Sequence, residues 1–580
     1  MCARHKRVQF HPLQCRVLRY RNLIEALEAA PGDRPFVTFW VNEDEQETLT
    51  FADFRRRARA QARALRAHGL SSGERVVVIM PQGIAAMTVF TGAMMLGGVP
   101  AFIAYPNDRV EASKYRAGLT GVTANLKAKL VVIDDEFPED MLAHVAIEGE
   151  AQLLLAGSGD EAEQSPDRAI PSISADSVAF IQHSAGTTGL QKGVALTHAA
   201  VLRQLEHLVR VLRIESATDR IYSWLPLYHD MGLIACFMLP MAYHLPLVMQ
   251  SPLDWVMVPE TMLEVISEHK CTLAWLPNFA FQFVPRRTRP ERRARYDLSS
   301  LRALINCSEP VRTSSMREFE TAFAANGLKP GVFQSSYAMA ENVFAATQSE
   351  IDCPSGPTRV YADGKEFRGS HKIVVVTKDS PGEICFTSSG RLLPNHEVRI
   401  VSDSRETPAE GSVGEILIKS DCLFEGYYNR PDLTAQAIVD GWCHTGDLGF
   451  LLHNELYVVG RKKDLIIVGG ENIYPQDLEE IAGKHSAIHD GRVIAMGVYN
   501  ADLGTEEIVM VAEVESEELL ANAAEIEREV RSLVVAGMGV TVGTIFLKPP
   551  KWIVKSTAGK AARSSTFEKL RREHPEFKFE

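Results

Sequence analysis

Short apolar or β-branched runs alternate with helix-like stretches over most of the chain. Strand runs fall at residues 76–80, 130–133, 178–182, 301–305 and 332–335, and helical stretches at 51–68, 199–213 and 258–269. Strands with intervening helices predict parallel sheet built from βαβ units. Between Arg75 and Asp108 there is no charge, a stretch long enough to raise the question of a membrane span. Pro81, Gly83, Gly97, Gly98 and Pro100 interrupt it, so a strand, a buried helix over 84–96 and a second strand over 99–104 account for it better. From near Arg461 the pattern changes to helix 476–484, strands 492–498 and 508–514, helix 516–535 and strand 544–547, a small α+β unit. The polar stretches 157–172 and 548–563 read as exposed loops, the second as mobile.

A chain of 580 residues exceeds what one core can serve, so two or more domains are expected. With 46% hydrophobic and 23% charged residues, the composition is that of an ordinary globular protein. The net charge of −12 argues against broad nucleic-acid binding but leaves room for polyphosphate held by a local loop and a metal ion. Nine cysteines without a C-x-x-C pair read as reduced thiols of a cytoplasmic protein, and no zinc-ligand spacing occurs. The N-terminus is basic (Arg4, Lys6, Arg7, Arg16) but lacks the apolar centre of a signal peptide.

Residues 183–193 read H-S-A-G-T-T-G-L-Q-K-G and follow an apolar strand. Glycines let backbone N–H groups approach an anion, hydroxyls add donors, and Lys192 adds a positive charge. The plain alternative is a glycine turn at a strand end. A Walker A loop is excluded, because Lys192 is followed by Gly193 and not by Ser or Thr.

This segment resembles the phosphate loop of the acyl-adenylate-forming superfamily, close to [ST]-[ST]-G-[ST]-T-G-x-P-K-G, with Ala185 and Gln191 as departures. Four more segments resemble family motifs in the family's order: Y-A-M-A-E at 337–341, W-C-H-T-G-D at 442–447, G-R-K-K-D at 460–464 and S-T-A-G-K at 556–560. The resemblance implies an α/β fold. It has a large N-terminal domain of βαβ-rich sheets (1–460), a hinge (461–465) and a small mobile α+β lid (466–580). It also implies the chemistry. A carboxylate attacks the α-phosphorus of ATP, and a thiol opens the resulting anhydride, so two anions must be neutralised and held in line.

The roles the resemblance implies are as follows. Thr187, Thr188 and Lys192, with Ser184, Gly186 and Gly189 of the same loop, hold phosphates. Glu341 holds Mg²⁺, Tyr337 stacks on adenine, and Asp447 accepts from the ribose with Arg461 nearby. Ser308, Glu309 and Ala338 complete the nucleotide site. Lys463 is the hinge, and Lys560 is the lid lysine that stabilises the carboxylate and α-phosphate oxygens. Without the resemblance, Lys560 is one more solvated lysine and Asp447 a turn residue.

The run S-W-L-P-L-Y-H-D-M-G-L-I at 223–234 resembles the fatty acyl-AMP ligase branch and implies that His229 gates an acyl pocket. The alternative is a satisfied core histidine. Met231, Leu233, Phe237, Met238 and Met241 are apolar at near-helical spacing, either plain core or tunnel wall. M-P-Q-G at 80–83, Y-P-Q-D at 474–477 and a hydrophilic insert near 356–380 resemble the same branch, whose thiol acceptor is a phosphopantetheine carrier protein of polyketide or lipopeptide synthesis. G-G-E-N-I at 469–473 instead resembles acyl-CoA synthetases, which use free CoA. The insert could otherwise be an inert surface loop. No nucleic-acid partner and no transmembrane segment are expected.

Overall fold

The uncharged stretch after Arg75 forms the strand Arg75–Ile79, the helix Ile84–Met95 and the strand Val99–Phe102 in the computed structural model. The structure describes residues 19–106, 112–145, 152–155, 171–183, 192–402, 407–469, 471–500, 505–555 and 561–575. The helix Ile84–Met95 is buried on every side, which is why it needs no polar face. Its Gly92 packs so closely on the helix Phe51–Ala67 that a Cβ would stand 2.7 Å from the Ala58 carbonyl oxygen. That second helix starts at a capping box: Thr50 Oγ1 accepts the Asp53 N–H while the Asp53 carboxylate accepts the Thr50 N–H. Its apolar stripe, Phe51, Phe54, Ala58, Ala62 and Leu65, lies inward, each large side chain contributing about 1.5–3 kcal/mol by burial. No helix among the described residues is long and apolar enough to cross a membrane.

Four parallel strands in the order Val99–Phe102, Arg75–Ile79, Leu130–Ile133 and Gln152–Leu155 make one sheet. A nine-stranded sheet makes the second, its centre the parallel strands Phe333–Ala338, Ala303–Asn306, Leu273–Leu276, Ile221–Ser223, Leu247–Met249 and Pro35–Asn42. Runs such as L-V-V-I at 130–133 and L-A-W-L at 273–276 are apolar throughout, as parallel strands covered on both faces require, whereas F-Q-S-S-Y-A at 333–338 buries its polar side chains in hydrogen bonds. The expected strands at 301–305 and 332–335 are shifted to Ala303–Asn306 and Phe333–Ala338. The expected helix at 258–269 starts at Thr261, because Pro259 restricts Val258 before it. A smaller antiparallel sheet joins Val178–His183, Gly193–Thr197 and Gly426–Tyr427, and another is built on Gly414–Ser420, Trp442–Leu452 and Glu455–Arg461.

The C-terminal α+β pattern is present as the hairpin Ile466–Val468 and Glu471–Ile473, the helix Pro475–Ala482, the strands Ile488–Asn500, Thr505–Val514 and Thr544–Lys548, and the helix Ala523–Met538. These elements share their own apolar cluster, including Ile466, Leu478, Met510, Val530 and Val534. Two expectations about loops change. The insert is not an inert loop: it contains the strand Arg359–Asp363 and the helix Gly364–Ser370, whose Phe367 is buried and stacks on Tyr474 at 5.4 Å. The stretch 548–563 is not exposed throughout either. Ile553, Val554 and Ala562 are buried because the run W-I-V puts apolar side chains over Ile494 and Val511. Residues 556–560 and most of 157–172 lie outside the described residues.

Seven cysteines are free among the described residues, and burial pushes the Cys236, Cys271, Cys307 and Cys443 thiols up to about 12, as inert packed groups require. Burial pushes His183, His198 and His396 down to about 4. As pH falls below about 6.5, the unfolded chain takes up protons that the folded chain refuses until about pH 4. Stability is therefore full above about 6.5 and declines towards 4. At about pH 5.5 the loss should be roughly 1.4 kcal/mol per histidine. A melting midpoint that stays level from about pH 7 to about pH 5 would contradict these buried neutral imidazoles.

Candidate active site

Tyr337 ends a central strand of the nine-stranded sheet, and Asp447 lies in the strand Trp442–Leu452 of the neighbouring antiparallel sheet. The two meet: the Tyr337 hydroxyl donates to Asp447 Oδ2 at 2.6 Å. Arg461 is the cross-strand partner of Asp447 and brings its Nε to 3.4 Å from Oδ1. Thr445 Oγ1 accepts the Asp447 N–H at 3.0 Å and itself donates to the Ile416 carbonyl, which fixes the turn around Gly446 (φ +70°). Burial raises the Asp447 pKa, opposed by Arg461 and Tyr337, and Lys463 adds a favourable charge. Two motifs separated by more than a hundred residues thus hold one carboxylate with a hydroxyl on one oxygen and a cation on the other.

A second cluster lies at the other end of the 337–341 motif. Glu341 sits in the short 3-10 turn Ala340–Asn342. The Tyr427 hydroxyl donates to Glu341 Oε1 at 2.6 Å, and the Lys192 ammonium stands 4.6 Å from the centre of the Tyr427 ring. Tyr427 gets there because Gly426 and Tyr427 pair with Ala195 and Val194 on the strand leaving the glycine-rich loop. Burial and the Glu341 charge both raise the Tyr427 pKa, so it stays a hydroxyl donor. The Glu341 turn is held from below: Asn342 Nδ2 donates to the Ala345 carbonyl and to neutral His396 Nε2, and Asn342 Oδ1 accepts from Ser420 Oγ. Burial lowers the Lys463 pKa, and repulsion from Arg461, Arg563 and Lys192 lowers it further.

His229 follows the strand Ile221–Ser223 and precedes a π-helix, Met231–Met238. Its Nδ1 lies 2.7 Å from Asp230 Oδ1 and accepts the Met231 N–H at 3.3 Å, while the same N–H donates to Asp230 Oδ1 at 2.7 Å. The π-helix presses on the preceding loop so tightly that a Cβ on Gly232 would stand 2.2 Å from the Pro226 carbonyl oxygen. Met231, Leu233, Phe237, Met238 and Met241 are all buried. Ser308, in left-handed backbone (φ +69°), has its hydroxyl 3.8 Å from Met231 Sδ, and the Glu309 carboxylate accepts the Phe279 N–H at 3.0 Å. Ser308 and Glu309 therefore border the His229 segment, and no described hydrogen bond joins them to Asp447 or Glu341.

Ala338 is half-buried beside Tyr337, and Lys463 is exposed in the turn Lys462–Asp464. Ser184, Gly186, Thr187, Thr188 and Gly189 lie outside the described residues, as does Lys560, although His183 and Lys192 flank the loop. Sequence reasoning missed Tyr427, Asn342 and His396. The weak signal for Tyr427 was a glycine–tyrosine pair before an N-R-P helix start; nothing in the spacing marks Asn342 or His396.

As to magnesium, the Glu341 carboxylate has one oxygen bonded to Tyr427 and, among the described residues, no cation paired to it, and an anionic oxygen ligand suits this hard cation. The residues present fit such an ion.

The family model for AMP-binding enzymes matches residues 24–428. The chain is 29% identical over 559 residues to the 4-hydroxyphenylalkanoate adenylyltransferase of Mycobacterium marinum, covering 92% of this chain and 88% of that protein. It is also 29% identical over 550 residues to the long-chain-fatty-acid–AMP ligase FadD26 of Mycobacterium bovis, covering 90% and 92%. A solved structure from work on the fatty acyl-adenylate ligases of E. coli and L. pneumophila aligns with a TM-score of 0.88 at 27% identity, covering 97% of this chain and all of that one. With the motif clusters gathered as described and the family model spanning most of its length, the chain belongs to the AMP-binding enzymes.

Proposed function

We propose that the chain activates a medium- or long-chain fatty acid with ATP and transfers the acyl group to the phosphopantetheine thiol of an acyl carrier protein. The observation that carries this reading is the convergence on Asp447 of Tyr337 and Arg461, beside a Glu341 joined through Tyr427 to Lys192. In the first step the fatty carboxylate oxygen attacks the α-phosphorus, and the bond to pyrophosphate breaks. In the second, the thiol sulfur attacks the acyl carbonyl, AMP leaves, and the thiol proton is lost. Asp447 holds the ribose hydroxyls, Tyr337 packs on adenine, and Lys192 with Thr187 and Thr188 neutralises the phosphates. Glu341 would hold Mg²⁺, which supplies charge neutralisation at the phosphate oxygens when bound. On this reading His229 stands at the acyl carboxylate.

The same reading divides the chain into a domain 1–460, a hinge 461–465 around Lys463, and a lid 466–580 that brings Lys560 to the site and withdraws it for thiol attack. Incubation with a panel of carboxylic acids, with CoA and with a holo carrier protein in parallel, tests it. Fatty acids should drive pyrophosphate exchange, and the carrier should be acylated faster than CoA.

Removing one hydroxyl probes the Glu341 arrangement. Tyr427→Phe keeps the ring under Lys192 and loses the bond to Glu341, so turnover should fall roughly tenfold with a raised Mg²⁺ requirement. An unchanged Mg²⁺ titration would contradict the positioning role.

A second reading, free CoA as acceptor, draws on the G-G-E-N-I segment, which forms one side of the hairpin Ile466–Val468 and Glu471–Ile473. Against it stands the insert, whose Phe367 stacks on Tyr474 and whose Arg368 carbonyl accepts from Asn472 at 3.5 Å. A lid held this way rotates less readily. Phe367→Ala should therefore raise acyl-CoA formation several-fold relative to carrier acylation, and an unchanged ratio would remove the insert from the acceptor choice.

A further inference from the structure

Within a chain of net charge −12, residues 286–295 are strongly basic, with Arg286, Arg287, Arg289, Arg292, Arg293 and Arg295 against one acid, Glu291. They span the end of the helix Ala280–Arg287 and the short helix Pro290–Arg293. Glu318 pairs with Arg286 and Glu260 with Arg292, but Arg289 and Arg295 are exposed with no ion pair among the described residues. Arg287 lies over the Phe283 ring at 5.5 Å. On the far side of this helix, towards the helix Thr313–Ala322, an open cleft of about 510 Å³ is lined by Arg286, Arg293 and Arg317 with Ser314, Thr321 and Glu318, the carboxylate that pairs with Arg286. Three cations against one acid leave it net positive.

Beside the arginines the surface carries large exposed apolar side chains, with Asp254 among them. Leu253, Met257, Val258 and Phe279 are 44%, 75%, 47% and 38% exposed. Trp255 explains how: it is fully buried, stacks on Trp224 at 3.6 Å and touches Phe279 and Phe283. Residues two positions away on a helix lie about 200° round it. With Trp255 inward, Leu253 and Met257 point out. The aromatic contacts run inward without a break, from Phe283 and Phe279 through Trp255 to Trp224, which lies in the segment that ends at His229.

We infer that this surface docks the chain peripherally on an anionic lipid membrane. The apolar tips enter the headgroup region and the arginines meet lipid phosphates, which sets a membrane-borne acyl substrate beside the domain that carries the His229 segment. The inference rests on the fatty-acid reading above. An acidic carrier protein would also meet the arginines. It would, however, leave Met257, 75% exposed, with no apolar interior to enter.

Flotation of the full chain with vesicles tests this, using phosphatidylcholine alone and phosphatidylcholine mixed with phosphatidylglycerol. The chain should float with the mixed vesicles only and be released by high salt. Met257→Asp and the double variant Arg287→Ala/Arg289→Ala should each lower that binding, the latter on the order of tenfold. Both should keep pyrophosphate exchange with a water-soluble medium-chain acid, which shows them folded. No flotation of the parent chain, or equal flotation of parent and variants, would overturn the inference. Unchanged flotation with slowed acylation of a carrier protein would reassign the surface to that carrier. Vesicle binding as predicted in a chain that adenylates no fatty acid would sink the functional reading and leave the docking surface standing.

Discussion

Lys560→Ala should lower acyl-adenylate formation by roughly 10²–10³-fold, the size of effect seen when one donor to a developing charge is removed from a preorganised site. Thiolysis of supplied acyl-AMP should be nearly unaffected. The asymmetry follows from charge. The first half-reaction brings a carboxylate against a triphosphate, and on the proposed lid reading a cation from the lid lowers that repulsion only in the adenylating arrangement. In the second, a neutral carbonyl is attacked, and on the same reading the lid presents another face. Arg563, three residues on, is held by Glu479 and by Asp464 at 3.0 Å, so the chain entering the last helix is anchored to the hinge turn and to the helix Pro475–Ala482. Single-turnover measurements of each half-reaction check this, and equal losses in both would contradict a lid that serves one of them.

Asp447→Ala should have the next largest effect. On the proposed reading it removes the acceptor for the ribose hydroxyls, and it orphans the Tyr337 hydroxyl, which is buried and bonds Asp447 at 2.6 Å. The lost bonds to a charged acceptor cost on the order of 3 kcal/mol, or about 10²-fold in kcat/KM, while the orphaned hydroxyl lowers the stability of the fold. Because ribose is held alike in ground and transition states, the loss should fall mainly on KM for ATP. Asp447→Asn keeps an acceptor oxygen and should recover part of it. An unchanged KM for ATP in Asp447→Ala would remove the residue from the nucleotide site.

Much of the fold was legible because its strands are buried on both faces. The runs at 76–79 and 130–133 contain little but Val, Ile and Leu, and such runs leave few alternatives to parallel sheet. The buried helix Ile84–Met95 was legible for the opposite reason: with no polar face, it had to lie inside. Less visible were elements stabilised by distant partners. The helix Gly364–Ser370 has a hydrophilic sequence capped by Asp363, and it is placed by Phe367, which packs on Tyr474 and Phe386. The π-helix Met231–Met238 depends on Gly232 fitting against Pro226, which apolar periodicity does not encode.

In the site, motif order pointed to Tyr337, Glu341, Asp447 and Arg461, and the structure brings them into two adjoining clusters. The residues that hold them in position were not legible. Tyr427, Asn342 and His396 act through hydrogen bonds between strands far apart in sequence, and none stands in a local pattern that its own chemistry would mark.

The fate of ATP's phosphates is the most direct measurement. With a fatty acid and ATP labelled at the α-phosphorus, the label should appear in acyl-AMP and AMP while unlabelled pyrophosphate is released. Label recovered in ADP, with inorganic phosphate as the other product, would contradict the account.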